Sequence, residues 1–179
     1  MHPRMQEILS FLDLQRAALA RAYEAVPPGL RSLRPAPDRW SAAEVIGHLT
    51  VVEGRITQVL RASIDAATEA GLGPDRETSP VVPTVDVDRI LDRSRAVTAS
   101  AGSQPPAGLG ADDAWATLEE RRADLRRLIH DVDGLALQLV TAANPVLGSL
   151  NAYQWLVFVG AHERRHAAQI DEITAALTN

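Results

Sequence analysis

The stretch NAYQWLVFVGAHERRHAAQIDEITAAL, Asn151 to Leu177, decides the fold. Trp155, Val159, His162, His166, Ile170 and Ile173 recur at spacings of three and four, which puts them on one face of an α-helix. Asn151 stands as an N-cap with Gln154 at N3, a weaker form of the capping box, and the helix is predicted to run to about Leu177. Its core-facing side therefore carries two imidazoles one turn apart. Two His at i and i+4 can reach one divalent ion.

A third histidine comes from a second strongly marked helix. Ser41-Ala42-Ala43-Glu44 is a capping box, with Trp40 at N′ and Val45 or Ile46 placed to close a hydrophobic staple. The helix is predicted to run to about Ala70, where Gly71-Leu72-Gly73-Pro74 breaks it. Its apolar stripe is read as Val45, Leu49, Val52, Ile56, Val59 and Leu60, and His48 lies on or beside it. His48, His162 and His166 together would make a three-nitrogen site. Three protein ligands leave a coordination position open, as in catalytic rather than structural zinc-type sites.

Two further helices complete the pattern. Residues from about Met5 to Ala25 are amphipathic and end at Pro27-Pro28-Gly29. Another helix begins at Asp112 and continues to about Val132, with Asp112 and Asp113 at its positive end and His130 at its negative end. Leu135 to Thr141 is read as a short extended segment, and Asn144-Pro145 with Gly148 as a turn. His2 is expected to be disordered. Between the second and third long helices, residues 75–110 hold Pro80, Pro83, Pro105 and Pro106. Asp86 to Leu91 is expected to form a helical turn there, and Arg95 to Gln104 an extended run. A connection of this length inside a compact domain is often a functional cap or lid. The chain is thus read as one all-α domain over residues 1–179, a four-helix bundle with a long irregular connection.

Composition narrows the function classes. The net charge of −5 gives no global basic field for nucleic acid or an anionic membrane. All 18 basic residues are arginine. There is no cysteine, which excludes a disulfide scaffold, a thiolate metal site and a cysteine nucleophile. Neither a signal-peptide-like apolar run nor a window of about 18 apolar residues occurs, so the chain is expected to be cytoplasmic.

Each motif has a plainer reading beside the chemical one. A lone His on an apolar face, as His48 would be, is usually a hydrogen-bonded core residue. His162 and His166 fit either a metal pair or a stabilising cluster. Buried imidazoles need partners, because an unpaired buried polar group costs roughly 1–3 kcal/mol, and one shared ion would serve all three. His162-Glu163-Arg164-Arg165-His166 also spells H-E-x-x-H, the zinc-protease signature. The longer protease form would require Gly and His where the chain has Gln169 and Glu172. Glu163 lies about 60° from His166 around the helix and could approach a metal-bound water; the favoured expectation is that it faces solvent and pairs with a nearby arginine. Glu44 could orient His48, with capping as its simpler role. Trp40, Tyr153 and Trp155 fit a pocket wall or the core. Arg89, Arg93 and Arg95 fit an anionic ligand or a solvated surface.

Two stretches carry a family resemblance. One is Pro37, Arg39-Trp40-Ser41, Glu44-Val45 and His48-Leu49. The other is Asn144-Pro145, Leu147-Gly148, Leu150-Asn151-Ala152 and Gln154-Trp155-Leu156, followed by His162, Arg165-His166 and Gln169-Ile170. This pattern resembles the DinB-like family of four-helix bundles. The resemblance implies an up-down-down-up bundle, a divalent metal on a histidine triad that falls here on His48, His162 and His166, and frequent homodimers. Some relatives are transferases or isomerases that use a low-molecular-weight thiol ionised on the metal. A thiol-dependent transferase is accordingly expected, with small-molecule substrate and thiol as partners. Metal-assisted hydrolysis, or metal or small-ligand binding without catalysis in a stress response, stand as alternatives. Zinc, nickel and iron all suit three imidazoles.

Overall fold

The computed structural model describes residues 1–94, 98–108 and 110–178. Four long helices form the bundle: α1 (Pro3–Ala25), α2 (Ala42–Glu69), α4 (Ala111–Asp131) and α5 (Ala152–Thr178), with a short α3 (Val87–Leu91) in the long connection. A hairpin of β1 (Thr141–Asn144) and β2 (Gly148–Asn151) precedes α5.

The caps set the helix starts as the sequence indicates. Ser41 Oγ accepts from the Glu44 N–H, and the Glu44 carboxylate accepts from the Ser41 N–H. Asn151 and Gln154 exchange the same two bonds at 3.0 Å each. Asp86 caps α3 through the Arg89 N–H.

Inter-helix contacts give the direction of each helix. Arg4 lies over the Tyr153 ring, and Arg16 reaches Glu163, so α1 and α5 run parallel. Glu53 pairs with Arg122 and Arg61 with Asp131, so α2 and α4 also run parallel. Tyr23 donates to the Ala111 carbonyl while Arg126 reaches Asp13, so α1 and α4 are antiparallel. His48 faces His166 while Ile56 and Val159 line one cleft, so α2 and α5 are antiparallel. The bundle is up-down-down-up.

This topology explains the long connection. A helix rises 1.5 Å per residue, so the 28 residues of α2 span about 42 Å. To start α4 parallel to α2, the chain must return along the bundle. It does so under repeated restraint. Asp75 is buried against Tyr153 Oη, Gln138 Nε2 and Arg4. The Glu7 carboxylate accepts from the N–H groups of Val81 and Val82. Arg165 donates to the carbonyls of Ile90 and Asp92, and Arg93 grips Glu172. Farther along the connection, Arg55 of α2 donates to the Gly102 carbonyl and His48 meets Ser103.

Four expectations are corrected. Val59 is 52% exposed and lies off the stripe, which continues from Ile56 to the buried Leu60. Residues 135–141 are not one extended run: Leu137–Leu139 is a 3-10 turn, and the extended backbone belongs to the hairpin that follows. His2 is ordered as the N-cap of α1, its N–H donating to Asp133. The expected extension from Arg95 to Gln104 falls partly outside the described residues, and Ala101–Ser103 is a 3-10 turn.

Candidate metal centre

The three histidines that the sequence singles out meet in space. The second turn of α2 supplies His48, and the middle of α5 supplies His162 and His166. Their candidate ligand nitrogens all lie within 4.8 Å of one another. His162 Nε2 and His166 Nε2 are 3.0 Å apart. Metal–nitrogen bonds of about 2.0–2.1 Å put tetrahedral ligand nitrogens roughly 3.3 Å apart; His162 and His166 are near that spacing, and His48 lies within 4.8 Å of them. Among the described residues this is the one group of three or more His, Asp or Glu side chains with such convergence.

The surroundings fix which nitrogens face inward. His48 Nδ1 lies 2.5 Å from the Ser103 carbonyl, which can only accept, so Nδ1 carries the proton and Nε2 its lone pair. His166 Nδ1 lies 2.8 Å from Gln169 Oε1 and is protonated on the same reasoning. His166 Nε2 is thereby left with a lone pair directed at His162. Second hydrogen bonds of this kind orient metal-ligating imidazoles. Trp40 packs on His48 with ring centroids 5.0 Å apart, and Phe158 stacks on His162 at 5.5 Å.

Burial makes all three imidazoles poor bases. His48 is 5% exposed and His166 7%. Desolvation lowers the His162 pKa to about 3, with the charges of His48 and Arg165 adding to the effect. His166 is held well below its ordinary value by burial and then by His162 and His48. His48 is lowered by burial, against the Ser103 carbonyl, which favours its charged form. Neutral imidazole is the form that ligates a metal.

Glu163 is not where the sequence placed it. It is 1% exposed and points into the bundle rather than to solvent. Arg16 of α1 holds its carboxylate at 2.7 Å, and Arg122 of α4 at 2.9 Å. Both arginines also bind Glu53 of α2, at 3.1 and 2.8 Å. Two buried acids and two guanidiniums thus form a cluster with one member from each long helix, and the half-exposed Glu119 also pairs with Arg16. Burial alone would lower the Arg122 pKa, but Glu163 and Glu53 outweigh it and raise it. Burial pushes the Glu163 carboxyl up, while Arg122 and Arg16 pull it down. Oε1 accepts a hydrogen bond from Arg16 at 2.8 Å, while Oε2 is ion-paired with Arg122 and buried without a hydrogen bond, so Glu163 belongs to the cluster.

The remaining candidates sort by their contacts. Glu44 caps α2 and pairs with Arg34. Tyr153 belongs to the core around Asp75. Trp155 donates to the Ala142 carbonyl of the hairpin. Arg93 is tied to Glu172, Arg89 is exposed, and Arg95 lies outside the described residues. Asn144 is 4% exposed and accepts from the Val146 and Leu147 N–H groups, so it shapes the hairpin turn. No helix among the described residues is long and apolar enough to cross a membrane.

Comparison with known proteins bears on the fold and the family. The family model of the DinB superfamily matches residues 11–170. The solved structure of TT2238, a four-helix bundle protein, superposes with a TM-score of 0.60 at 20% identity, covering 94% of this chain and 98% of that one. The search of curated proteins gives no match.

Proposed function

The chain belongs to the DinB superfamily, and on that premise we propose that His48, His162 and His166 hold one divalent ion in a metal-dependent enzyme, a transferase acting on a low-molecular-weight thiol. The observation that carries this reading is the convergence of three neutral imidazoles, two of them with Nδ1 already committed to a carbonyl oxygen. An ion on three such ligands keeps a coordination position open and lowers the pKa of a thiol or water placed there.

The chain's own residues do the rest by placement. Ser103 and Gln169 orient two rings, and Trp40 and Phe158 wall the site with apolar surface. Glu163 stays with Arg16 and Arg122 and is given no part in proton transfer. With no cysteine in the chain, the reacting thiol must come from a small molecule. Zinc, nickel and iron(II) all suit the donor set. Assembly as a homodimer in the cytoplasm belongs to the same proposal.

The test is to load the protein with zinc or nickel and supply small thiols with an electrophile. Free thiol is expected to fall one for one with electrophile, and to do so more slowly with the His162→Ala/His166→Ala variant. Turnover without loss of thiol would replace the transferase with a hydrolase. No turnover with any thiol or water-labile substrate, in protein that holds metal, would leave a binding protein.

A further inference from the structure

The return connection from α2 to α4 crosses the histidine site, and it is clasped there at two consecutive residues. The Ser103 carbonyl faces His48 Nδ1 at 2.5 Å. The adjacent Gly102 carbonyl accepts from Arg55 Nη1 at 2.5 Å, and Arg55 lies on α2 seven residues, or two turns, beyond His48. The local fold is tight: Ser103 Oγ lies within hydrogen-bonding distance of Ser100 O and Ser100 Oγ, and Gln104 Nε2 donates to the Ala99 carbonyl. A Cβ added at Gly102 would meet the end of the Arg55 side chain, which would have to leave its place on the Gly102 carbonyl. Asp92 is held by Arg165 on α5 and Gly102 by Arg55 on α2, so the connection is anchored on both helices that carry the three histidines.

We propose that residues 98–104 form a strap whose closure is coupled to metal occupancy, with the Ser103 carbonyl and Arg55 as positioning groups that act through His48. This rests on the metal reading above. The coupling follows from the bonds. With the strap closed, the Ser103 carbonyl holds the proton of His48 on Nδ1 and presents Nε2 to the ion. With the strap open, His48 loses that acceptor and is free to rotate or to change tautomer. An ion on Nε2 makes the Nδ1 proton a stronger donor, so metal tightens the strap as the strap tightens metal. Loss of such outer hydrogen bonds typically costs 10–100-fold in metal affinity. The strap and the metal are linked, so the same factor applies in both directions.

The experiment measures zinc affinity and amide hydrogen exchange on the same proteins: wild type, Arg55→Ala, Gly102→Ala and Arg55→Lys. Arg55 is exposed, and its removal leaves the core untouched. Zinc is expected to slow exchange across residues 98–104 of the wild type by about tenfold or more. Arg55→Ala and Gly102→Ala should bind zinc about tenfold more weakly and lose that protection, with Arg55→Lys restoring part of both. Thermal unfolding of the zinc-free variants should match the wild type, which separates loss of the clasp from loss of the fold. Zinc bound with unchanged exchange over residues 98–104, or variants that bind it as tightly as the wild type, would overturn the strap and leave the metal site standing. Failure of the wild type to bind zinc would overturn both.

Discussion

His162 and His166 approach nitrogen to nitrogen, Nε2 to Nε2 at 3.0 Å, in surroundings that keep both rings neutral. Gln169 fixes the proton of His166 on its far nitrogen, so in metal-free protein the short contact needs a proton on His162 Nε2. A shared cation removes that requirement.

Acid should therefore weaken the metal-free protein in a defined window. The folded-state pKa values of all three histidines lie below the unfolded value of about 6.5. Between that value and the depressed one, about 3 for His162, the unfolded chain binds more protons than the folded one. Their contribution is fully present above pH 6.5 and is lost as pH falls. Each such imidazole contributes a slope of up to about 1.4 kcal/mol per pH unit. Urea unfolding from pH 7.5 to 5 checks this, and a flat midpoint would show that the rings are not held neutral.

Metal should stabilise the fold. At free zinc about 100 times its dissociation constant, binding to the folded state alone adds about 2.7 kcal/mol. For a domain of this size that is a rise of roughly 5–10 °C in Tm. Calorimetry with and without a chelator reads it, and an unchanged Tm at saturating zinc would speak against a site formed only in the folded chain.

The buried cluster should be costly to break from one side. Arg122→Ala leaves Glu53 and Glu163 facing each other with Arg16 as their remaining cation, and should cost about 3–5 kcal/mol. Glu53→Ala/Arg122→Ala removes one acid and one cation and should cost less than the sum of the single changes. Additive losses in denaturant unfolding would mean that the four charges do not act as a unit.

Gly160 sets the approach of α1 to α5, two residues before His162. A Cβ there would lie 2.8 Å from Phe11 Cε1 and 2.9 Å from Cδ1. Gly160→Ala should destabilise by about 1–3 kcal/mol through overpacking. Adding Phe11→Leu should recover part of the loss. A neutral Gly160→Ala, measured by urea unfolding, would show that the Phe11 ring moves aside freely.

What the sequence made legible was local. The boxes Ser41/Glu44 and Asn151/Gln154 each lie within four residues, and their caps form as written. The histidine spacing on α5 fixes a shared face whatever the partner helix. The hairpin was missed because strands of four residues around Asn144-Pro145 leave no alternation long enough to see. The Ser103 contact spans 55 positions and rests on a backbone carbonyl, which has no signature. Glu163 was placed in solvent because its partners lie on α1 and α4, yet a signal existed. Arg16 sits between Leu12 and Leu19, Glu53 between Leu49 and Ile56, Arg122 between Leu118 and Leu125, and Glu163 follows Val159 by four. Four charges of both signs on four apolar stripes, one per helix, must be buried together or not at all.

The most direct measurement of the central claim is elemental analysis of untagged protein purified without chelators, beside the His162→Ala/His166→Ala variant. The account predicts about one divalent metal per chain in the wild type and none in the variant, at the loading expected of a single site. No metal in either, even after zinc or nickel is added, with the variant folding normally, would contradict it and return the three histidines to the core.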